Sequence, residues 1–438
     1  MKRMMLATLA GLAAFAVNAD LSHATVTSVT QNPENGLVML SYTLTGTEDV
    51  IVTPEVLTNG VAVSAAESTG WFGDMNRLLS PGAHTAYWQP RVFWPGREFA
   101  ADELAVRLTC WSKANPPDYM AVDIKVKERV RFYTCAEAVP YGVSNAVYKT
   151  DILLMRKIHA AGREAVLGTA MTGSATEPWG FGSTEAGSNA KYEFLPHNVV
   201  FTNDFYLGVY EFTCAQYFNA FGRYSPWFSR GTNVNGAVDV DFALKPIGSF
   251  RMREERQDDS MYWPEFGHEV PPSTRIGKLR TQTGVEIDFP TEAQWEFAAR
   301  EGGRVRIPEN LDEIAWYRDN AAMAPSQVFT SGGAICPQTV GLKKPNGLGL
   351  YDIYGNVSEI MLDCSGLKYY EQEDFFRGAD SVEPVGPAYG TNMARRVSRG
   401  ASITANAEDL RPGYRRDHSP DNAFHDVGMR LCAPGYLK

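Results

Sequence analysis

The stretch Lys344–Asp363, KPNGLGLYDIYGNVSEIMLD, packs three glycines, a turn and an apolar run into twenty residues. Gly355 and Asn356 force a tight turn that can present backbone carbonyls. Asp352 and Glu359 flank that turn with hard carboxylate oxygens, the mixture a calcium ion takes. The equally simple reading is that Asn356 and Glu359 satisfy buried backbone groups. Either way the unit reads as a glycine-punctuated strand and turn.

Working outward, two capped helices flank strands. In DFYLGVYEFTCAQYFNAF (204–221), Thr213 and Gln216 have capping-box spacing, and Tyr217, Ala220 and Phe221 share a face. In FPTEAQWEFAAREGG (289–303), Thr291 and Gln294 repeat the box, and Trp295, Ala298 and Ala299 form the buried stripe. Both stripes are core contacts. The segment REAVLGTAMTGSATEPWGFGS from Arg163 reads as loop. Toward the end, RVSRGASITANAEDLRPGYRRD (396–417) holds arginines, hydroxyls and acids but no cysteine or histidine, and DVGMRLC (426–432) looks like a core strand.

Residues 20–127 have a different texture. Val38, Leu40, Tyr42 and Leu44 alternate, as do Leu104, Val106, Leu108 and Cys110, and turn signals such as Asn59-Gly60 and Pro81-Gly82 separate the runs. The pattern predicts an all-β sandwich of immunoglobulin or fibronectin type, serving as a spacer or as a binding module. A connecting segment over 128–149 leads to a second domain at 150–438.

The chain has 438 residues, 44% hydrophobic, and a formal charge of −10. That bounds it to one large or two medium domains and argues against a nucleic-acid partner. Lys2 and Arg3, an apolar run to Val17 and the small-residue site Val17-Asn18-Ala19 predict a secretory leader over 1–19, hence export to a periplasm or beyond the cell. No other stretch is long and apolar enough to insert in a membrane. The six cysteines (Cys110, Cys135, Cys214, Cys336, Cys364 and Cys432) include no C-x-x-C. In an oxidising compartment they make one or two disulfides, or several are buried thiols. His418 and His425 sit among acids and read as surface residues rather than metal ligands.

Four pieces in order (204–221, 289–303, 344–363 and 396–432) resemble the sulfatase-modifying factor family, whose best-known members are the formylglycine-generating enzymes. The resemblance runs over roughly 150–436 and implies an irregular α+β fold related to C-type lectin domains. It also implies a structural calcium held by the Asp352 and Glu359 side chains and the Gly355 and Val357 carbonyls. Ser358 and Ile360 stand where the family commonly has tryptophans. Catalytic members hold Cu(I) on two cysteines and oxidise a sulfatase cysteine to formylglycine. Here those two positions fall on Ala405 and Leu410, neither of which ligates copper. Ser402 is retained, and a histidine found in some catalytic members falls on Asn406.

Arg399, Arg411, Arg415 and Arg430 occupy positions where the family places arginines, read as ties between loop carbonyls and carboxylates. With Ser402 and Asn406, Arg411 marks a candidate binding cleft for a peptide, glycan or protein ligand. The expected function is an exported, non-catalytic pseudoenzyme using a lectin-like scaffold for binding. The alternatives are a formylglycine-generating oxidase, which would need Cys336 or Cys364 in the cleft, and a purely structural surface protein.

Overall fold

In the computed structural model, the described residues are 22–96, 99, 103–168, 197–223, 240–256, 270–303, 310–321, 337–365, 381–382, 395–419 and 421–438. The proposed leader lies outside them. The alternating residues of the N-terminal part do what their period demands. Strand Val38–Thr45 lies between His23–Gln31 and Gly82–Trp88, and Phe72–Gly73 extends that antiparallel sheet. Strand Val50–Thr58 pairs along its whole length with Leu104–Ser112 and also meets Val61–Ala62 and Leu78–Leu79. Val38, Leu40, Tyr42 and Leu44 from one sheet and Val52, Val56 and Val106 from the other share one apolar core with Trp71 and Trp88. Period-2 alternation therefore maps onto one buried face.

The second body begins earlier than its sequence suggests. Tyr119–Asp123 and Val130–Tyr133 belong to a five-stranded antiparallel sheet completed by Ile152–Ile158, Phe205–Gly208 and Cys432–Pro434. The segment read as a connection over 128–149 thus contributes an edge strand, and the boundary falls before Tyr119. Four-residue strands are too short to reveal a period. The same applies to Glu164–Leu167, read as loop, which pairs with His197–Val200. A third sheet orders Arg415–His418, Arg395–Arg399, Ser358–Ser365 and Val427–Gly428.

Both capping boxes form. Thr213 opens helix Cys214–Phe221 and Thr291 opens Glu292–Ala299, each exchanging hydrogen bonds with a glutamine three residues on. The first box also ties the helix to its surroundings: Gln216 Nε2 donates to the Tyr148 and Ile152 carbonyls at 3.1 and 2.9 Å. A third helix, Arg275–Thr283, is capped by Thr274 and stopped by Gly284 in the left-handed region. The two bodies join through backbone bonds from Phe132 to Asn76 and from Leu437 to Lys113.

Gly277 tests whether packing or propensity governs that third helix. A Cβ there would lie 2.1 Å from the Pro271 carbonyl oxygen. Alanine is the better helix former by about 1 kcal/mol, but a forced clash costs about 1–3 kcal/mol. Gly277→Ala is expected to lower the thermal midpoint; an unchanged or raised midpoint would show that the backbone yields.

Candidate functional site

Helix Glu292–Ala299 builds the centre of the second body. Positions 292, 295 and 296 lie on one face at helical spacing. All three side chains are buried, and each meets an arginine or carboxylate from a distant segment. Arg415 Nε donates to Glu292 Oε1 at 2.6 Å. Arg399 pairs with Glu296 and lies 3.4 Å from Glu292, while Arg300 Nε donates to Glu296 at 2.7 Å. Burial alone would raise the Glu296 carboxyl, but the Arg300 and Arg399 charges outweigh it and hold it down to about 2.

Trp295 Nε1 donates to Glu359 at 2.7 Å. Glu359 also takes Arg430, whose Nη2 lies 2.7 Å from Oε1 and whose Nε reaches both carboxylate oxygens. Arg430 is fully buried and donates further to the Gly208, Val209 and Tyr351 carbonyls. A guanidinium's fan of donors suits such a set of oxygens. Burial would lower its pKa, yet the Glu359 charge outweighs this and raises it.

The proposed calcium set divides on this geometry. Glu359 has both oxygens engaged by Arg430 and Trp295, so its carboxylate does not fit as a metal ligand. Asp352 is buried in the left-handed region; its Oδ2 accepts from Gly341 at 2.6 Å, and its Oδ1 has no hydrogen-bond partner. At the turn itself, a Cβ on Gly355 would lie 2.2 Å from the Trp316 carbonyl oxygen, which requires glycine. Val357 offers its N–H to Glu211 at 3.0 Å, and Asn356 Nδ2 donates to the same carboxylate at 2.7 Å. Burial pushes the Glu211 carboxyl well up, with Asp352 and Glu359 adding to it. Among the described residues no group of three or more His, Cys, Asp or Glu is placed to hold a metal.

The candidate cleft residues are placed differently from one another. Ser402 is buried, with its hydroxyl 3.0 Å from Asp426 and 2.9 Å from the Thr404 hydroxyl. Arg411 is buried over the Tyr414 ring and bonds the Glu408 carbonyl. Asn406 is half-buried and accepts from Arg318 Nη1 at 2.6 Å, while the same guanidinium bonds the Thr404 carbonyl at 2.7 Å. Ala405 and Leu410 belong to the apolar cluster around Trp295 and Tyr414. Ser358 and Ile360 are buried as well. His418, read as a surface residue, instead ends strand Arg415–His418. It is buried against Phe424 with Nε2 2.8 Å from the Ser398 hydroxyl, because strand pairing turns it inward. His425 is half-buried.

Cys110, Cys135, Cys214 and Cys432 are free thiols. The Cys432 thiol lies 3.6 Å from Gln294 Oε1, and burial pushes its pKa far up, away from the reactive thiolate. Cys336 and the Cys364 side chain lie outside the described residues.

The model of the sulfatase-modifying factor enzyme 1-like domain matches residues 179–433, more than half of the chain. The chain belongs to this family. A formylglycine-generating enzyme of Thermomonospora curvata is 32% identical over 153 residues, 33% of this chain and 48% of that one. The serine/threonine-protein kinase pkn1 of Chlamydia pneumoniae is 35% identical over 146 residues, covering 33% of this chain and 20% of that protein. The chain thus spans less than half the length of these relatives. The solved structure of PvdO from Pseudomonas aeruginosa shares 18% identity over 64% of this chain and 94% of that one, with a TM-score of 0.43.

Glu292, Glu296 and Glu211 were missed by sequence reasoning, although arginines in buried apolar contexts signal that buried acids must meet them. Removing one partner of such a pair strands the other charge. Glu296→Gln is expected to lower unfolding free energy by about 3–5 kcal/mol, measured by denaturant titration. A loss under about 1 kcal/mol would mean that solvent reaches the arginines.

Proposed function

We propose that the chain is an exported, non-catalytic member of the family that binds a peptide, glycan or protein on a lectin-like scaffold. Its N-terminal part would serve as an immunoglobulin- or fibronectin-like module. The observation that carries this reading is the residue content of the segment that the resemblance matches to the copper site. Between Arg395 and Leu431 there is no cysteine, and Ala405 and Leu410 sit in an apolar cluster. Cu(I) in this chemistry needs paired thiolates, and neither methyl nor isobutyl groups donate. Ser402 cannot substitute, since its hydroxyl is engaged by Asp426 and a hydroxyl alone does not activate oxygen. The half-buried Asn406 and the exposed Arg318 bonded to it are polar groups placed to meet a ligand at this segment.

The oxidase reading requires copper ligands from elsewhere in the chain. Incubating the full chain with Cu(I), oxygen and a peptide carrying Cys-x-Pro-x-Arg separates the two. Mass spectrometry is expected to find the cysteine unchanged, beside an active family enzyme as control. Turnover to formylglycine would overturn the non-catalytic reading.

The resemblance also implies a structural calcium, and the misfit at Glu359 bears on it. With Arg430 already neutralising Glu359, the fold has an internal cation at that carboxylate. Treatment with EGTA is therefore expected to leave the melting temperature unchanged. A large drop, restored by added Ca²⁺, would place a metal at the Asp352 end of the turn and require Glu359 to rearrange.

A further inference from the structure

Where the two bodies meet, a cavity of about 420 Å³ opens between the strand containing Leu78, the strand Val130–Tyr133, the turn after helix Arg275–Thr283 and the chain's last residues. This volume lies in the range of small-molecule sites. Leu78, Phe132, Val285 and Leu437 give it apolar walls. Its charged residues are Arg77, Arg131, Lys438, Glu128 and Glu286.

The charges do not cancel within the cavity. Glu286 is neutralised by Arg280 at 3.0 Å and Lys438 at 3.3 Å, and Glu128 lies 3.5 Å from Lys127. Arg77 reaches Asp74 only at 3.9 Å. Arg131 is half-buried, and among the described residues the one hydrogen bond of its guanidinium is a 3.5 Å contact to the adjacent Val130 carbonyl. It makes no ion pair with any described residue. Burial disfavours its charge, the Arg77 and Arg129 charges add to this, and Tyr133 and Asp74 offset only part of it. A half-buried guanidinium beside another cation is unfavourable without an anion, and its planar fork matches a carboxylate.

We propose that this cavity binds a small amphipathic carboxylate, its apolar body against Leu78, Phe132 and Val285 and its carboxylate on Arg131, with Arg77 at the mouth. The site lies between the two bodies and away from the segment 396–417, so it stands or falls independently of the copper question. Nothing in the site demands a metal or covalent step; recognition is by shape and one charge-assisted contact.

Calorimetric titration of the full chain with octanoate, 1-octanol and octylamine tests it. Octanoate is expected to saturate one site, with 1-octanol at least about tenfold weaker and octylamine not competing, as a single charge-assisted contact implies. In Arg131→Met the affinity for octanoate should fall to that for 1-octanol, with the thermal midpoint retained. The comparison among the three ligands on the unaltered chain decides the matter even if the variant does not fold. No saturable octanoate binding, equal binding of octanoate and 1-octanol, or an unaffected Arg131→Met variant would overturn the proposal.

Discussion

The second body depends on burying arginine charge against carboxylates carried by one short helix. Glu292 and Glu296 receive Arg415, Arg399 and Arg300, and Trp295 from the same face reaches the Glu359–Arg430 pair. Buried ion pairs add little net stability compared with apolar packing. Their consequence is specificity: any arrangement that misplaces the helix leaves several desolvated charges unmatched. The helix is only eight residues long, so propensity alone could not hold it. Its capping box starts it, and the arginines fix which way it faces.

The same arginines resolve a problem that irregular folds share. Loops that run through an interior carry carbonyls with no ladder partner, and each must find a donor. Arg430 supplies donors to Gly208, Val209 and Tyr351, segments more than a hundred residues apart in sequence. Arg399 does likewise for Gly413 and Tyr414. At the calcium-like turn, Glu211 takes the opposite part and accepts from Asn356 and Val357. A carboxylate and a guanidinium thus organise a turn that the family resemblance assigns to a metal.

Local signals were legible where the chemistry is local. Both capping boxes stand where Thr213-Gln216 and Thr291-Gln294 predict them, and the Val38–Leu44 alternation marks the buried face of its sheet. What escaped was long-range. Arg300 lies four residues from Glu296, a spacing that an exposed helix pair would share, and the partners that show these charges to sit inside, Arg399 and Arg415, lie about a hundred residues away. His418 looked like a loop residue until strand pairing with Arg396 turned it toward Ser398. The boundary at Tyr119 was hidden for a related reason: a strand of five residues gains its identity from its neighbours.

The joint between the two bodies is part of the fold. Ile51 of the N-terminal part is buried in the same apolar cluster as Met120, Phe132 and Val285 of the second. Backbone hydrogen bonds cross between the two at Asn76 and Lys113. A spacer joined by a free linker would share no core with its neighbour, because burying common apolar surface removes the freedom a linker provides. The N-terminal part is therefore a structural partner of the second body. Perturbation at Ile51 or Phe132, on either side of the joint, must propagate into packing that both bodies use.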